Sequence, residues 1–221
     1  IGVFAFCQIG SAVIGVAQLA GPAKTIKLDA ETETSIWMAL QGLIAVLQFP
    51  VYVFAAVTFL MWLFRTYKNL EPLGSEYTKF SPGWSVGWWF IPLANLVMPF
   101  KAVRGVWAES DPDSVGNEDF LSGLEPSAPF FMSAWWAFWI IANIFTNITS
   151  RVLDPADVQG LEMSGYAFII GGIFWVVDAA FAIKLLLDVT DRQDRRFVNI
   201  GIRPPQEPPP PPTFSSFGTQ Q

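Results

Sequence analysis

The chain has 221 residues, 52% of them hydrophobic and only 14% charged, against roughly 25% charged in an ordinary soluble domain. Its net charge of −6 and pI of about 4.6 argue against a basic nucleic-acid-binding face. The absence of His and the single cysteine, Cys7, remove the commonest metal ligand, any intrachain disulfide and any Cys-cluster metal site, while a mean hydropathy of +0.39 with 20 Phe and 10 Trp points to a membrane protein.

Crossing a hydrocarbon core about 30 Å thick takes roughly 20 apolar residues as a helix. Four stretches qualify, and they predict an all-α integral membrane bundle of four transmembrane helices. The first covers residues 1–20, uncharged as far as Lys24. In it Ser11 and Gly15 form a small-xxx-small pair of the kind that lets a second helix approach. After a polar loop, 21–35, the second covers 36–64, with no charge between Glu33 and Arg65. Runs such as residues 43–47, Leu-Ile-Ala-Val-Leu, do not alternate, so a membrane β-strand is not predicted.

The segment 65–127 follows. It holds a Trp-rich apolar stretch, 84–100, of only 17 residues, interrupted by Pro92 and Pro99. Three placements fit it: a short kinked span, a re-entrant segment, or a helix in the interface with its tryptophans among the headgroups. Beyond it the chain turns acidic, with Glu109, Asp111, Asp113, Glu118, Asp119 and Glu125. The third span covers 128–150 and carries Asn143 and Asn147 one turn apart. A short loop, 151–163, leads to the fourth span, 164–187, which contains Gly171, Gly172, Asp178 and Lys184. Residues 188–221 read as a charged, then proline-rich cytoplasmic tail. The tail contains Pro204, Pro205 and five prolines from Pro208 to Pro212, which should form an extended left-handed helix. That helix fits either a docking peptide for a partner or a stiff solvated tail.

Charge placement orients the chain. If 84–100 does not cross, all of the 13 basic residues except Lys24, Lys27 and Arg151 share one side. A crossing reduces the imbalance, so the positive-inside rule favours four spans with both termini cytoplasmic. Trp37, Trp62, Trp84, Trp107, Trp135 and Trp136 fit an interfacial belt. Arg65, Lys68, Lys101 and Arg104 are placed to reach lipid phosphates.

Asp178 lies deep in the fourth span, where an unpaired charge is costly. It serves either as a polar tie between helices or as a proton or cation site. Gln48 and Asn143 fall at similar depth, counting about 1.5 Å per residue. A hydrogen bond between membrane helices contributes about 0.6 kcal/mol.

One order of residues is more specific. Phe59-Leu60-Met61-Trp62-Leu63-Phe64-Arg65-Thr66-Tyr67-Lys68-Asn69-Leu70 is followed by Phe80-Ser81-Pro82-Gly83-Trp84 and by Trp88-Trp89-Phe90-Ile91-Pro92-Leu93-Ala94-Asn95. Pro99-Phe100-Lys101, Arg104-Gly105-Val106-Trp107, Trp135-Trp136-Ala137-Phe138-Trp139 and Asp191-Arg192-Gln193 complete it. This order resembles the bacterial membrane-protein family catalogued as domain of unknown function 4328, over roughly 36–196. The resemblance implies a multi-pass protein of the bacterial inner membrane with about four spans and variable tails. It carries no reaction, so it supplies no catalytic residues. It marks Pro82, Trp84, Pro92, Asn95 and Pro99 as a common structural element. In that element Pro82 can open a helix and Gly83 and Gly87 permit close backbone approach. Asn95 can serve the Trp88 carbonyl that a helical Pro92 would free, and the segment should pack against the bundle.

The function these features favour is a non-enzymatic accessory or structural subunit of a larger bacterial membrane complex, respiratory or photosynthetic. Its partners would be membrane lipids, other membrane subunits and a partner for the proline-rich tail. The alternative is a small transporter or channel built on Asp178 and the broken 84–100 segment. An enzyme acting on lipids fits less well, because no nucleophile–base pair is visible. Asp111 with Asp113 reads as a solvated acidic loop before it reads as a metal site. No metal site and no catalytic residue are assigned. The cofactor is left unassigned too: haem or chlorophyll lacks its usual His ligand, although Asn, Gln or water can serve a pigment.

Overall fold

The computed structural model describes residues 2–20, 30–75, 80–114, 127–153 and 158–202. Among these residues the chain forms six α-helices and no strand. They are α1 (Gly2–Ala20), α2 (Ala30–Leu70), α3 (Pro82–Gly87), α4 (Met98–Glu109), α5 (Phe130–Val152) and α6 (Val158–Ile202). The loop residues 21–29, the acidic residues Glu118, Asp119 and Glu125, residues 154–157 and the proline tail from 203 onward lie outside the described residues.

The apolar runs become helices because lipid offers their peptide groups no other partner. Two of these helices overrun their apolar stretch at both ends. α2 has 41 residues and α6 has 45. At 1.5 Å per residue they are about 60 and 67 Å long, roughly twice the hydrocarbon thickness. The tail therefore does not begin at residue 188. The helix continues through the charged stretch because Val189, Gln193 and Arg196 recur on one face and are buried there.

Small residues fix how α1 lies on α6. A Cβ on Gly15 would stand 2.6 Å from the Gly165 carbonyl oxygen, and one on Gly172 would meet the Gln8 carbonyl and the Ala12 methyl at 3.1 and 3.2 Å. The pairing of 15 with 165 and of 8–12 with 172 makes the two helices antiparallel. α5 also runs antiparallel to α6, through Phe138 on Phe181 and Phe145 on Phe174, with ring centroids 6.0 and 5.6 Å apart. α2 runs parallel to α6. Gln41 donates to the Ser164 hydroxyl at 3.2 Å, and at the far end Asn69 donates to the Gln193 side chain at 3.3 Å. Between Gln41 and Phe59 α2 is largely uncovered. Phe49 is 68% and Phe54 70% exposed.

The main apolar core lies at the end where α2 and α6 finish and α5 begins. α3, α4 and the intervening turns close over that end. Leu63, Tyr67, Val103, Val106, Met132 and Leu185 pack together there. Trp107, Trp135 and Trp136 belong to this core too, so they are not part of a lipid-facing belt. Trp136 packs inward against Trp89, which inserts among Phe59, Trp136 and Trp139 with centroids 5.3 to 6.0 Å away; Trp135 packs on Phe59, and Trp107 is held by Asp188 and Arg192 of α6.

The 84–100 stretch is made of short pieces. Ser81 caps α3 by accepting the Trp84 N–H at 3.3 Å, with Pro82 at the first helical position. Two single 3-10 turns follow, at Trp88–Phe90 and Ala94–Leu96. Between them the Ala94 N–H reaches the Pro92 carbonyl at 2.8 Å across Leu93, whose φ is 64° and ψ −45°. This is a γ-turn in its strained, positive-φ form. The helix has stopped before Pro92, so no helical Trp88 carbonyl is orphaned and Asn95 makes no bond to it. Instead the Asn95 backbone N–H donates to Ile91 at 2.9 Å. A Cβ on Gly83 would meet nothing within 4 Å, and one on Gly87 only the Trp84 ring, so neither glycine answers to a close backbone approach.

Candidate functional site

The polar residues inside the spans do not converge. Asp178 is 7% exposed on α6, on the stripe between Phe174 and Phe181 where Phe138 packs. Its Oδ1 is buried with no hydrogen-bond partner. Asn143 turns back on its own helix and donates to the Trp139 carbonyl at 2.8 Å. Gln48 donates to the Ser11 hydroxyl on α1. Gln48 and Asn143 therefore do not pair, because at that depth the polar side of α2 meets α1. Among the described residues no three acids or thiols gather as a metal site.

The groups that do converge sit at the closed end, on the last turns of α6. Arg196 is 3% exposed. Its Nε donates to the Leu73 carbonyl at 2.7 Å, and its Nη1 donates to the carbonyls of Glu109 at 2.6 Å and Asp111 at 3.1 Å. One turn earlier, Gln193 donates through Nε2 to the Thr66 carbonyl at 2.9 Å and to the Ser110 hydroxyl at 3.2 Å. The Tyr67 hydroxyl donates to the Ala102 carbonyl at 2.6 Å, joining α2 to α4. Near the rim, Asp188 accepts from Trp107 Nε1 at 2.6 Å and from Arg192 Nε at 3.1 Å. Arg192 also lies over the Trp107 ring, 3.9 Å from its centroid, and pairs with Asp111 at 3.5 Å. Asp111 is thus engaged with α6, while its own Oδ1 accepts the Asp113 N–H at 3.0 Å. The sequence alone gives no role to Gln193, Arg196 or Tyr67. The spacing 189, 193, 196 on one helical face is the signal that could have found the first two.

The remaining predicted residues fall into two groups. Pro99 is buried in the first turn of α4, Pro92 opens the γ-turn, and Trp84 is 54% exposed with its ring 4.9 Å from that of Trp88. Asn95 Oδ1 is buried without a partner. Arg65 and Lys68 are exposed near the end of α2, Lys101 is exposed on α4, and Arg104 is half-buried there. Beside Arg65 a groove of about 620 Å³ opens between the ends of α2 and α6. Met61, Trp62 and Arg65 line it on one side, and Thr190, Asp194 and Phe197 on the other.

Among the described residues three helices, Ser35–Lys68, Phe130–Val152 and Met163–Gly201, are long and apolar enough to cross a membrane. A family model described as Domain of unknown function (DUF4328) matches residues 27–191, most of the chain. No curated protein and no solved structure matches it.

Proposed function

Because the chain belongs to the DUF4328 family, whose function is unknown, we propose a role from its geometry: a non-enzymatic, four-span accessory subunit of a larger complex in the bacterial inner membrane. The observation that carries this reading is the bare middle of α2. A span with Val46, Leu47, Phe49 and Phe54 all at least 60% exposed leaves most of its circumference uncovered by its own bundle, room for a neighbouring helix in place of lipid. Two glutamines on its other side already tie it to its own bundle.

The finer topology has its own support. α1 lies antiparallel on α6 at the depth of Gly165 and Gly172, which supports reading it as the fourth span. An interfacial position for the 84–100 stretch is supported by its short pieces. α4, the longest helix that touches it, has 12 residues, about 18 Å against a core of about 30 Å. Its turn also carries Phe90, 72% exposed, and Leu93, 83% exposed, with Ile91, Leu96 and Val97 beside them. Such a tip suits the acyl–headgroup boundary. Arg65, Lys68 and Lys101 then stand at headgroup level on the cytoplasmic side, with both termini on that side.

The test is a photo-crosslinking residue at Phe54 in the native membrane. The expected product is one defined adduct with a second membrane chain, and the same chain should remain bound through gentle solubilisation. A protein that yields no adduct and always migrates alone removes the subunit role.

A second reading, a small transporter or channel, is favoured by one observation: the buried Asp178 oxygen without a partner. Asp178→Asn in proteoliposomes should then abolish flux of the transported ion. Unchanged flux of every candidate ion removes this reading.

A further inference from the structure

We propose that the groove between the ends of α2 and α6 binds the headgroup of a zwitterionic phospholipid, with the phosphate on Arg65 and the ammonium on Asp194. The site rests on the membrane placement above, and it adds a ligand to it.

The argument begins with depth. Arg65 is the first charge on α2 after Glu33, so it marks where the helix leaves hydrocarbon. The groove straddles that level. Below Arg65 its walls are Met61 and Trp62, and above it α6 contributes Thr190 and Asp194. An apolar wall beneath a polar rim matches an acyl chain beneath a headgroup.

Charge then selects the headgroup. Most charged side chains at this end of the molecule are engaged. Asp188, Arg192 and Asp111 form one network, and Arg195 pairs with Asp191 at 2.6 Å. Arg65 and Asp194 line the same groove, and neither makes an ion pair or side-chain hydrogen bond among the described residues. A purely anionic headgroup would gain Arg65 and be repelled by the Asp194 carboxylate. A dipolar headgroup satisfies both at once. The guanidinium fork suits phosphate oxygens, and the carboxylate suits an ammonium. The Thr190 hydroxyl, which donates to the Leu186 carbonyl at 2.8 Å, keeps a lone pair for an ammonium, and the indole of Trp62 adds an aromatic face at the same rim. Arg195, one residue beyond Asp194, is held by Asp191, does not line the groove and serves as the internal control.

Native mass spectrometry of the full chain in detergent, titrated with phosphatidylethanolamine or phosphatidylglycerol, reads the site. The expected result is one retained phosphatidylethanolamine, held at least about tenfold more tightly than phosphatidylglycerol. Arg65→Gln should weaken both lipids about tenfold or more. Asp194→Asn should erase the preference while phosphatidylglycerol binding holds or rises. Arg195→Gln should change neither. Equal binding of the two lipids by the unaltered protein, or a preference that survives Asp194→Asn, overturns the proposal, and Asp194→Asn decides alone should Arg65→Gln fail to fold. Displacement of the lipid by inorganic phosphate at comparable concentration would make free phosphate the ligand and would also overturn it. Alkaline carbonate extraction of the same membranes keeps the two ideas separable. A chain released without detergent defeats the membrane placement itself, whereas a retained chain without lipid preference defeats the groove alone.

Discussion

Arg196 gives its guanidinium to three main-chain carbonyls on two segments, Leu73 after α2 and Glu109 and Asp111 around the end of α4. Lysine carries the same charge on a single nitrogen and cannot reach all three in the plane of a fork. Arg196→Lys should therefore lower stability by roughly 2 kcal/mol, because buried carbonyls lose a charged donor. Thermal melting in detergent measures this. Arg195→Lys, in a pair exposed to water, should leave the melt unchanged, and equal melts for the two variants would deny Arg196 this part. In the sequence Arg192, Arg195 and Arg196 look alike, as three positive charges beyond a span. What separates them is burial, and burial depends on α4 folding back over α6, which no local pattern encodes. The tryptophans teach the same lesson. Trp135 and Trp136 sit at the end of an apolar run, where an interfacial belt belongs, yet they turn inward, Trp135 onto Phe59 of α2 and Trp136 onto Trp89, 47 positions away in the chain.

At the scale of elements, the α1–α6 contact is the tightest test of packing. Gly15→Ala brings a methyl to 2.6 Å from a backbone oxygen that cannot swing aside, so the helices must separate. A loss of about 1–3 kcal/mol is expected, measured by the same melts. Gly10→Ala on the same helix meets nothing within 4 Å and should be neutral or stabilising by up to about 1 kcal/mol. If both substitutions behave alike, the contact is not as close as described. The small residues Ser11, Gly15, Gly171 and Gly172 were legible as packing positions, since only close helix approach explains them in a membrane. Their partners were not, because helical spacing says which face is small and not which helix it meets. The end of α6 shows the converse. Hydropathy falls at Asp188, but the period of buried residues runs on through Val189, Gln193 and Arg196, and the period is what decided the structure.

For the whole molecule, α2 and α6 outreach a bilayer about twofold, so the closed end with its polar network stands beyond the hydrocarbon. In a Cys7→Ser background, a cysteine at Asp113 should react with an impermeant thiol reagent only from the cytoplasmic side, and one at Val152 only from the opposite side. Labelling of both from one side would deny that α5 crosses, and labelling of Asp113 from the side opposite a cysteine at Lys68 would put the 84–100 stretch across the membrane. The sequence marked the apolar runs behind all four long helices, because lipid leaves a long uncharged run no other choice. The closed end stayed illegible, because it is assembled from pieces of four helices that each look like loop or tail alone. Its fastening has a practical corollary for protein engineering. Arg196 grips the chain on both flanks of residues 76–79, at Leu73 before them and at Glu109 after them. Two polypeptides divided there, each carrying two long helices, should find one another during co-expression and behave as a single protein, with the arginine serving as the rivet that replaces the severed peptide bond.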